Sequence, residues 1–223
     1  MEDLDISIYT TEAELLEVSA GEIRELIDKQ LTSTGKFHLA LTGGTLGNMI
    51  AKELAAEFSQ GDWRGLHIWW SDERFVPLNS VDRNDLAFCN ELSSESGVVV
   101  HRANGEGDIQ VAAMTLEREI AGINMDLIIL GMGPDGHIAS LFPGAIHAEE
   151  DRDVFAITNS PKPPSARVTF SLKKINNAAA IWLVASGENK TDAVAGLIEQ
   201  EHSLPVSHVN LSRLLVDSAA FGI

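Results

Sequence analysis

Met125-Asp126-Leu127-Ile128-Ile129-Leu130 runs directly into Gly131-Met132-Gly133-Pro134-Asp135-Gly136-His137, and this junction decides the fold. A short apolar run without alternation, stopped by glycines, is the pattern of a strand covered on both faces. The pattern recurs in Phe37-His38-Leu39-Ala40-Leu41, ahead of Gly43-Gly44, and in Leu66-His67-Ile68-Trp69-Trp70, ahead of Ser71-Asp72-Glu73-Arg74. Residues 6–9, 167–170 and 179–185 are further strand candidates. Helical patterns fit between them, first from Thr11, whose hydroxyl is placed to cap, to about residue 32. Others fit at 48–58, 82–92, 108–121 and 188–199. Strands alternating with helices predict an α/β fold with a largely parallel sheet and helices on both faces, and residues 1–223 are expected to form one domain. In open sheets of this kind, ligands bind beyond the carboxyl ends of the strands, so the glycine-rich and charged loops should converge at one edge.

The chain has 223 residues, of which 44% are hydrophobic, enough for a substantial core. Its formal net charge of −17 excludes a backbone-binding nucleic-acid protein and an anionic-membrane binder, because both need a basic patch. No apolar run is long enough to span a bilayer, and the acidic start Met1-Glu2-Asp3-Leu4-Asp5 lacks the basic region of a secretory signal, which predicts a cytoplasmic protein. Cys89 is the only cysteine, so no internal disulfide or thiolate cluster can form. It sits in a helical pattern with a buried face. In so acidic a molecule, cations beside glycine-rich loops are informative: an anionic substrate needs a locally positive pocket.

Five segments carry chemistry. Thr42-Gly43-Gly44-Thr45-Leu46-Gly47 joins a strand to a helix, where glycines admit close approach of an anion and free N–H groups receive it. The loop matches neither the nucleotide P-loop nor the dinucleotide fingerprint. In Asp72-Glu73-Arg74, the arginine fork suits a phosphate, and the carboxylates suit holding that fork or moving a proton. Asp135 and His137, two residues apart after a buried strand, suit acid–base work near neutral pH. No second histidine or cysteine lies at ligand spacing, so no metal is expected; His147 reads as solvated surface. Arg167 opens a strand after the rigid segment Asn159-Ser160-Pro161-Lys162-Pro163-Pro164-Ser165, and Lys190 ends Ser186-Gly187-Glu188-Asn189-Lys190. Either cation suits a phosphate.

Together these segments, from Leu41 to Lys190, resemble the 6-phosphogluconolactonase family, a branch of the group that includes glucosamine-6-phosphate isomerase/deaminase. The stretch from Gly131 to Gly144 is the specific match. The resemblance implies a Rossmann-like α/β fold and hydrolysis of 6-phosphoglucono-1,5-lactone to 6-phosphogluconate without cofactor or metal. It implies His137 as the principal acid–base residue, with Asp135 or Asp72 orienting the imidazole or the cations. Gly43, Gly44, Thr45, Arg74, Arg167 and Lys190 become the candidates for phosphate and substrate binding. The expected partner is a phosphorylated sugar lactone, and the expected assembly is a monomer or small homo-oligomer.

The chain departs from the family in two places. The usual Gly-Gly-Ser-Thr-Pro loop is Gly43-Gly44-Thr45-Leu46-Gly47, and of the usual Ser-Asn-Tyr segment only Asn84 persists, between Arg83 and Asp85. The sister deaminases continue their histidine motif with Asn-Glu-Pro where this chain has Leu141-Phe142-Pro143, and have Asp-Glu-Tyr where it has Asp72-Glu73-Arg74. Both differences favour the lactonase reaction over deamination, and the acidic N-terminus over a sugar-phosphate-sensing repressor module.

Overall fold

A computed structural model describes residues 4–145 and 151–223 of the chain. Seven parallel strands make the central sheet: β1 (Asp5–Tyr9), β2 (Phe37–Leu41), β3 (Leu66–Trp70), β5 (Val99–Val100), β6 (Leu127–Gly131), β9 (Ile181–Ala185) and β10 (Arg213–Asp217). Their order is β1-β10-β9-β6-β2-β3-β5. Every residue of β2 and β9 is buried, as continuous apolar runs require.

Among the described residues there are seven α-helices: α1 (Glu12–Thr34), α2 (Gly44–Phe58), α3 (Leu86–Glu91), α4 (Ile109–Ile120), α5 (Leu172–Asn176), α6 (Thr191–Ile198) and α7 (Ser218–Phe221). The core divides about the sheet because strand side chains alternate. Leu39, Leu41, Leu127 and Ile129 pack with apolar residues of α1, α2 and α3. Ala40, Ile128 and Leu130 point the other way, to α4, α6 and α7. Helices therefore cover both faces, as expected from the sequence.

Three details depart from expectation. The strand at 167–170 belongs to a second, antiparallel sheet in the order β4-β8-β7, made of β4 (Asp72–Arg74), β8 (Arg167–Phe170) and β7 (Val154–Ile157). The helix predicted over 82–92 begins only at Leu86, and ahead of it the N–H groups of Asn84 and Asp85 donate to the buried Glu73 carboxylate. The helix expected from residue 48 starts at Gly44, so Gly44 to Gly47 form its first turn. Gly47 is needed there: a Cβ would lie 2.7 Å from Thr42 Cγ2 and 2.8 Å from the Thr42 carbonyl oxygen. His147 lies outside the described residues.

Candidate active site

The strand order reverses between β2 and β6, since β3 and β5 extend one way and β9 and β10 the other. Loops leaving two such strands diverge and open a crevice. Here the crevice is a cavity of about 400 Å³ at the carboxyl ends of the strands, walled by Gly43–Gly47, 131–134, 184–186, Asn189 and Lys190. The Thr42 hydroxyl accepts the Gly131 N–H at 3.2 Å and ties the first two loops together. Of the site residues expected from the sequence, all but Asp135 line this cavity, and Asp135 stands directly behind His137.

Gly43 caps α2 with no side-chain hydrogen bond, and Gly44 has φ +83°, a conformation that costs glycine least. The first-turn N–H groups of a 15-residue helix thus meet the cavity without a side-chain cap, which is the geometry that receives an anion.

His137 is mostly buried and stacks on Phe142, with ring centroids 4.6 Å apart. Its Nδ1 lies 2.5 Å from Asp135 Oδ1, so the proton on that nitrogen points to the carboxylate and Nε2 carries the lone pair. Burial lowers the imidazole below its ordinary pKa, Asp135 opposes that shift, and Lys162 adds to it. Burial pushes Asp135 upward, but the hydrogen bond from His137 and the Lys162 charge outweigh it and hold the carboxyl at about 2. At neutral pH the pair is therefore a carboxylate orienting a neutral base. The turn depends on Gly133, where a Cβ would fall 1.9 Å from His137 Nδ1.

Asp72 has a different task. It accepts from the Ser140 hydroxyl at 2.6 Å and faces the Arg167 guanidinium at 3.5 Å. Arg167 is buried and also donates to the carbonyls of Lys162, Pro163 and Pro164, bracing the proline-rich loop. Asp135 thus contacts the imidazole and Asp72 the Arg167 guanidinium, a pairing the sequence left open. Arg74 lies directly opposite Arg167 in the β4–β8 ladder. Like charges facing across a strand pair repel. Burial lowers the Arg167 pKa, and Arg74 lowers it further against the pull of Asp72. An anion bound in the cavity would relieve that repulsion.

The Lys190 side chain makes no hydrogen bond among the described residues, while its backbone N–H donates to Gly187, and its pKa is lowered by burial and then by Lys162. Lys162 is the residue that sequence reasoning passed over. Its Nζ is 3.2 Å from His137 Nδ1 and 3.4 Å from Asp135 Oδ1. The available signal was a lone cation in a rigid proline turn just ahead of Arg167. Glu12, at the start of α1, also reaches the cavity and accepts a hydrogen bond from Ser186. Glu73 points away from the cavity and takes the N–H groups of Arg74, Asn84 and Asp85. Among the described residues no group of three or more His, Cys, Asp or Glu is arranged to hold a metal ion, and no helix is long and apolar enough to cross a membrane.

The chain is similar to known proteins in sequence and in fold. A 6-phosphogluconolactonase of Mycobacterium tuberculosis is 35% identical over 205 residues, covering 84% of this chain and 83% of its own. One of Streptomyces coelicolor is 33% identical over 218 residues, covering 87% and 83%. The crystal structure of 6-phosphogluconolactonase from Thermotoga maritima superposes with a TM-score of 0.84 at 27% identity, covering 96% of this chain and 98% of that one. A monomeric glucosamine-6-phosphate deaminase matches with a TM-score of 0.82 at 18% identity over 98% and 99%, a likeness of fold alone. The model of the glucosamine-6-phosphate isomerase/6-phosphogluconolactonase family matches residues 10–216, and with the curated relatives it establishes that this chain belongs to that family.

Proposed function

We propose that this protein is a 6-phosphogluconolactonase: it hydrolyses 6-phospho-D-glucono-1,5-lactone to 6-phospho-D-gluconate, a step of the oxidative pentose phosphate pathway. In this reading residues 1–223 act as one catalytic domain in the cytoplasm, as a monomer or small homo-oligomer, without cofactor or metal. The observation that carries the reading is His137, tied through Nδ1 to Asp135, in the wall of a cavity that also holds an uncapped helix start and four cations, one of them Lys162 beside the imidazole.

The α2 N-terminus, with Gly43, Gly44 and Thr45, holds the phosphate together with Arg74, Arg167 and Lys190. Anchored there, the substrate presents its C1 carbonyl to His137. Nε2 takes a proton from water as the oxygen attacks C1, giving a tetrahedral oxyanion that backbone N–H groups or an arginine stabilise. The C1–ring-oxygen bond then breaks, and His137 returns its proton to the departing ring oxygen. The acid product loses its proton to solvent. Asp135 stays ionised and holds the imidazole tautomer, while Asp72 holds Arg167. Phe142, stacked on the imidazole, occupies the position where the sister deaminases carry a glutamate, so a carboxylate for ring opening of an amino sugar is missing.

The test is a coupled assay on freshly generated lactone, with spontaneous hydrolysis subtracted, comparing wild type with His137→Ala. A fall in kcat of about 10²–10⁴-fold is expected, the scale of general acid–base catalysis. Near-normal turnover by His137→Ala, or ammonia release from glucosamine 6-phosphate by the wild type, would overturn the proposal.

A further inference from the structure

Asn84 is 1% exposed and lies in the cavity wall, yet its Oδ1 has no hydrogen-bond partner. A buried amide oxygen without a donor is costly, and native proteins rarely leave one so. The amide cannot have turned to hide the defect. Its Nδ2 donates to the Asp72 carbonyl at 2.9 Å and faces Asp72 Oδ1 at 3.3 Å, both acceptors, so only the oxygen can point the other way.

The backbone cannot readily move to satisfy it either. The Asn84 N–H donates to Glu73 Oε1 at 2.8 Å, and the next N–H, of Asp85, to Glu73 Oε2 at 2.9 Å. Asp85 is clamped by Arg83 on one side and by Arg102 on the other, with contacts of 2.5–2.8 Å. This charged set stands where the family usually has serine and tyrosine around the asparagine, and it holds Asn84 against the phosphate loop. A Cβ on Gly43 would lie 1.9 Å from Asn84 Oδ1, so the oxygen rests on the glycine that opens the anion cradle, between it and Asp72.

We propose that Asn84 is a substrate-recognising residue whose Oδ1 accepts a hydrogen bond from a hydroxyl of the bound sugar, an inference that rests on the sugar-phosphate reading of the site. The partner must be a donor. A phosphate dianion has no proton to offer, and the lactone carbonyl and ring oxygen only accept, which leaves the hydroxyls of the sugar chain. The same placement makes a hydroxylated ligand preferable to a deoxygenated one, because a site built to pair a polar group rejects a ligand that leaves it bare.

Calorimetric binding of 6-phosphogluconate and of its 2-, 3- and 4-deoxy analogues to the wild type, Asn84→Ala and Asn84→Asp tests this without requiring turnover. One analogue should bind the wild type roughly three- to tenfold more weakly than the parent, the scale of a single neutral hydrogen bond. Asn84→Ala should bind parent and that analogue alike, whereas Asn84→Asp, which keeps an acceptor, should still distinguish them. Inhibition by inorganic phosphate should be unchanged in Asn84→Ala. Equal hydroxyl dependence in wild type and Asn84→Ala overturns the assignment, as does an equal loss of phosphate binding. Wild-type protein that binds the sugar acids with this pattern but opens no lactone would sink the proposed reaction and leave Asn84 supported. Wild-type protein that binds none of them overturns both.

Discussion

Gly133→Ala isolates the placement of the His137 imidazole, the proposed base, from everything else in the site. Gly133 has no left-handed backbone requirement, so alanine brings no conformational penalty, only a methyl group. That methyl carbon would sit 1.9 Å from His137 Nδ1, 2.1 Å from Cε1 and 2.4 Å from Asp135 Oδ1. Ordinary contact begins at 3.4 Å, so the ring has to retreat by about 1.5 Å or rotate away from Asp135. Either motion breaks the 2.5 Å bond that fixes the tautomer. A misplacement of about 1 Å costs on the order of 10²-fold in rate. The proposed phosphate cradle lies on other loops, so kcat should fall roughly 100-fold while KM and inhibition by inorganic phosphate change little. Stopped assays on fresh lactone, with thermal unfolding as a control for folding, read this out. A folded Gly133→Ala protein with near-normal kcat would refute the view that the Asp135–His137 geometry drives the reaction.

Arg74→Ala should raise KM by about 10-fold or more, the range for losing a charged hydrogen bond to an anion. Its thermal midpoint should hold steady or rise, because the repulsion across the β4–β8 ladder is removed; a fall in stability with unchanged KM would reassign Arg74 to a structural role. Because the His137 pKa is lowered and its neutral form is the base, the acidic limb of kcat/KM should lie below pH 6.5, and a midpoint above 6.5 would contradict the burial argument. His38 and His101 are lowered to about 4, chiefly by burial, in a stack with His67 and Trp69, and Trp69 Nε1 donates to His38 Nδ1 at 3.2 Å, which requires a neutral ring. The unfolded chain binds these protons first, so stability is fully present above about pH 6.5 and declines as pH falls through about 4, by on the order of 1–3 kcal/mol per histidine. Urea midpoints that stay flat from pH 7 to 4.5 would count against this.

Much of the candidate site's lining was legible because its residues sit in local motifs. Gly43-Gly44, Asp72, Arg74, Asp135-Gly136-His137 and Lys190 each follow an apolar run, and parallel strands deliver their carboxyl ends to one edge whatever the distance in sequence, whereas Arg167 arrives on the antiparallel strand β8 paired with β4. What stayed hidden depends on pairs that no spacing announces. Lys162 reaches His137 only because Arg167 pins the loop between them. The charged residues at 82–85 carry a helix-compatible pattern, and nothing in it announces that the N–H groups of Asn84 and Asp85 bind the buried Glu73 carboxylate, eleven residues before Asn84.

The sequence by itself determined the alternation of buried strands and helices, the loops that hold the chemistry, and the family, since these rest on hydrophobic period, glycine placement and adjacent motif residues. Tertiary structure alone decided that Asp135 serves the imidazole and Asp72 the arginine, that Arg74 and Arg167 face each other, and that Asn84 keeps an unpaired oxygen over Gly43. The physical reason is range: periodicity acts over a few residues, whereas hydrogen bonds and charge pairs join whatever the sheet register brings within about 3 Å.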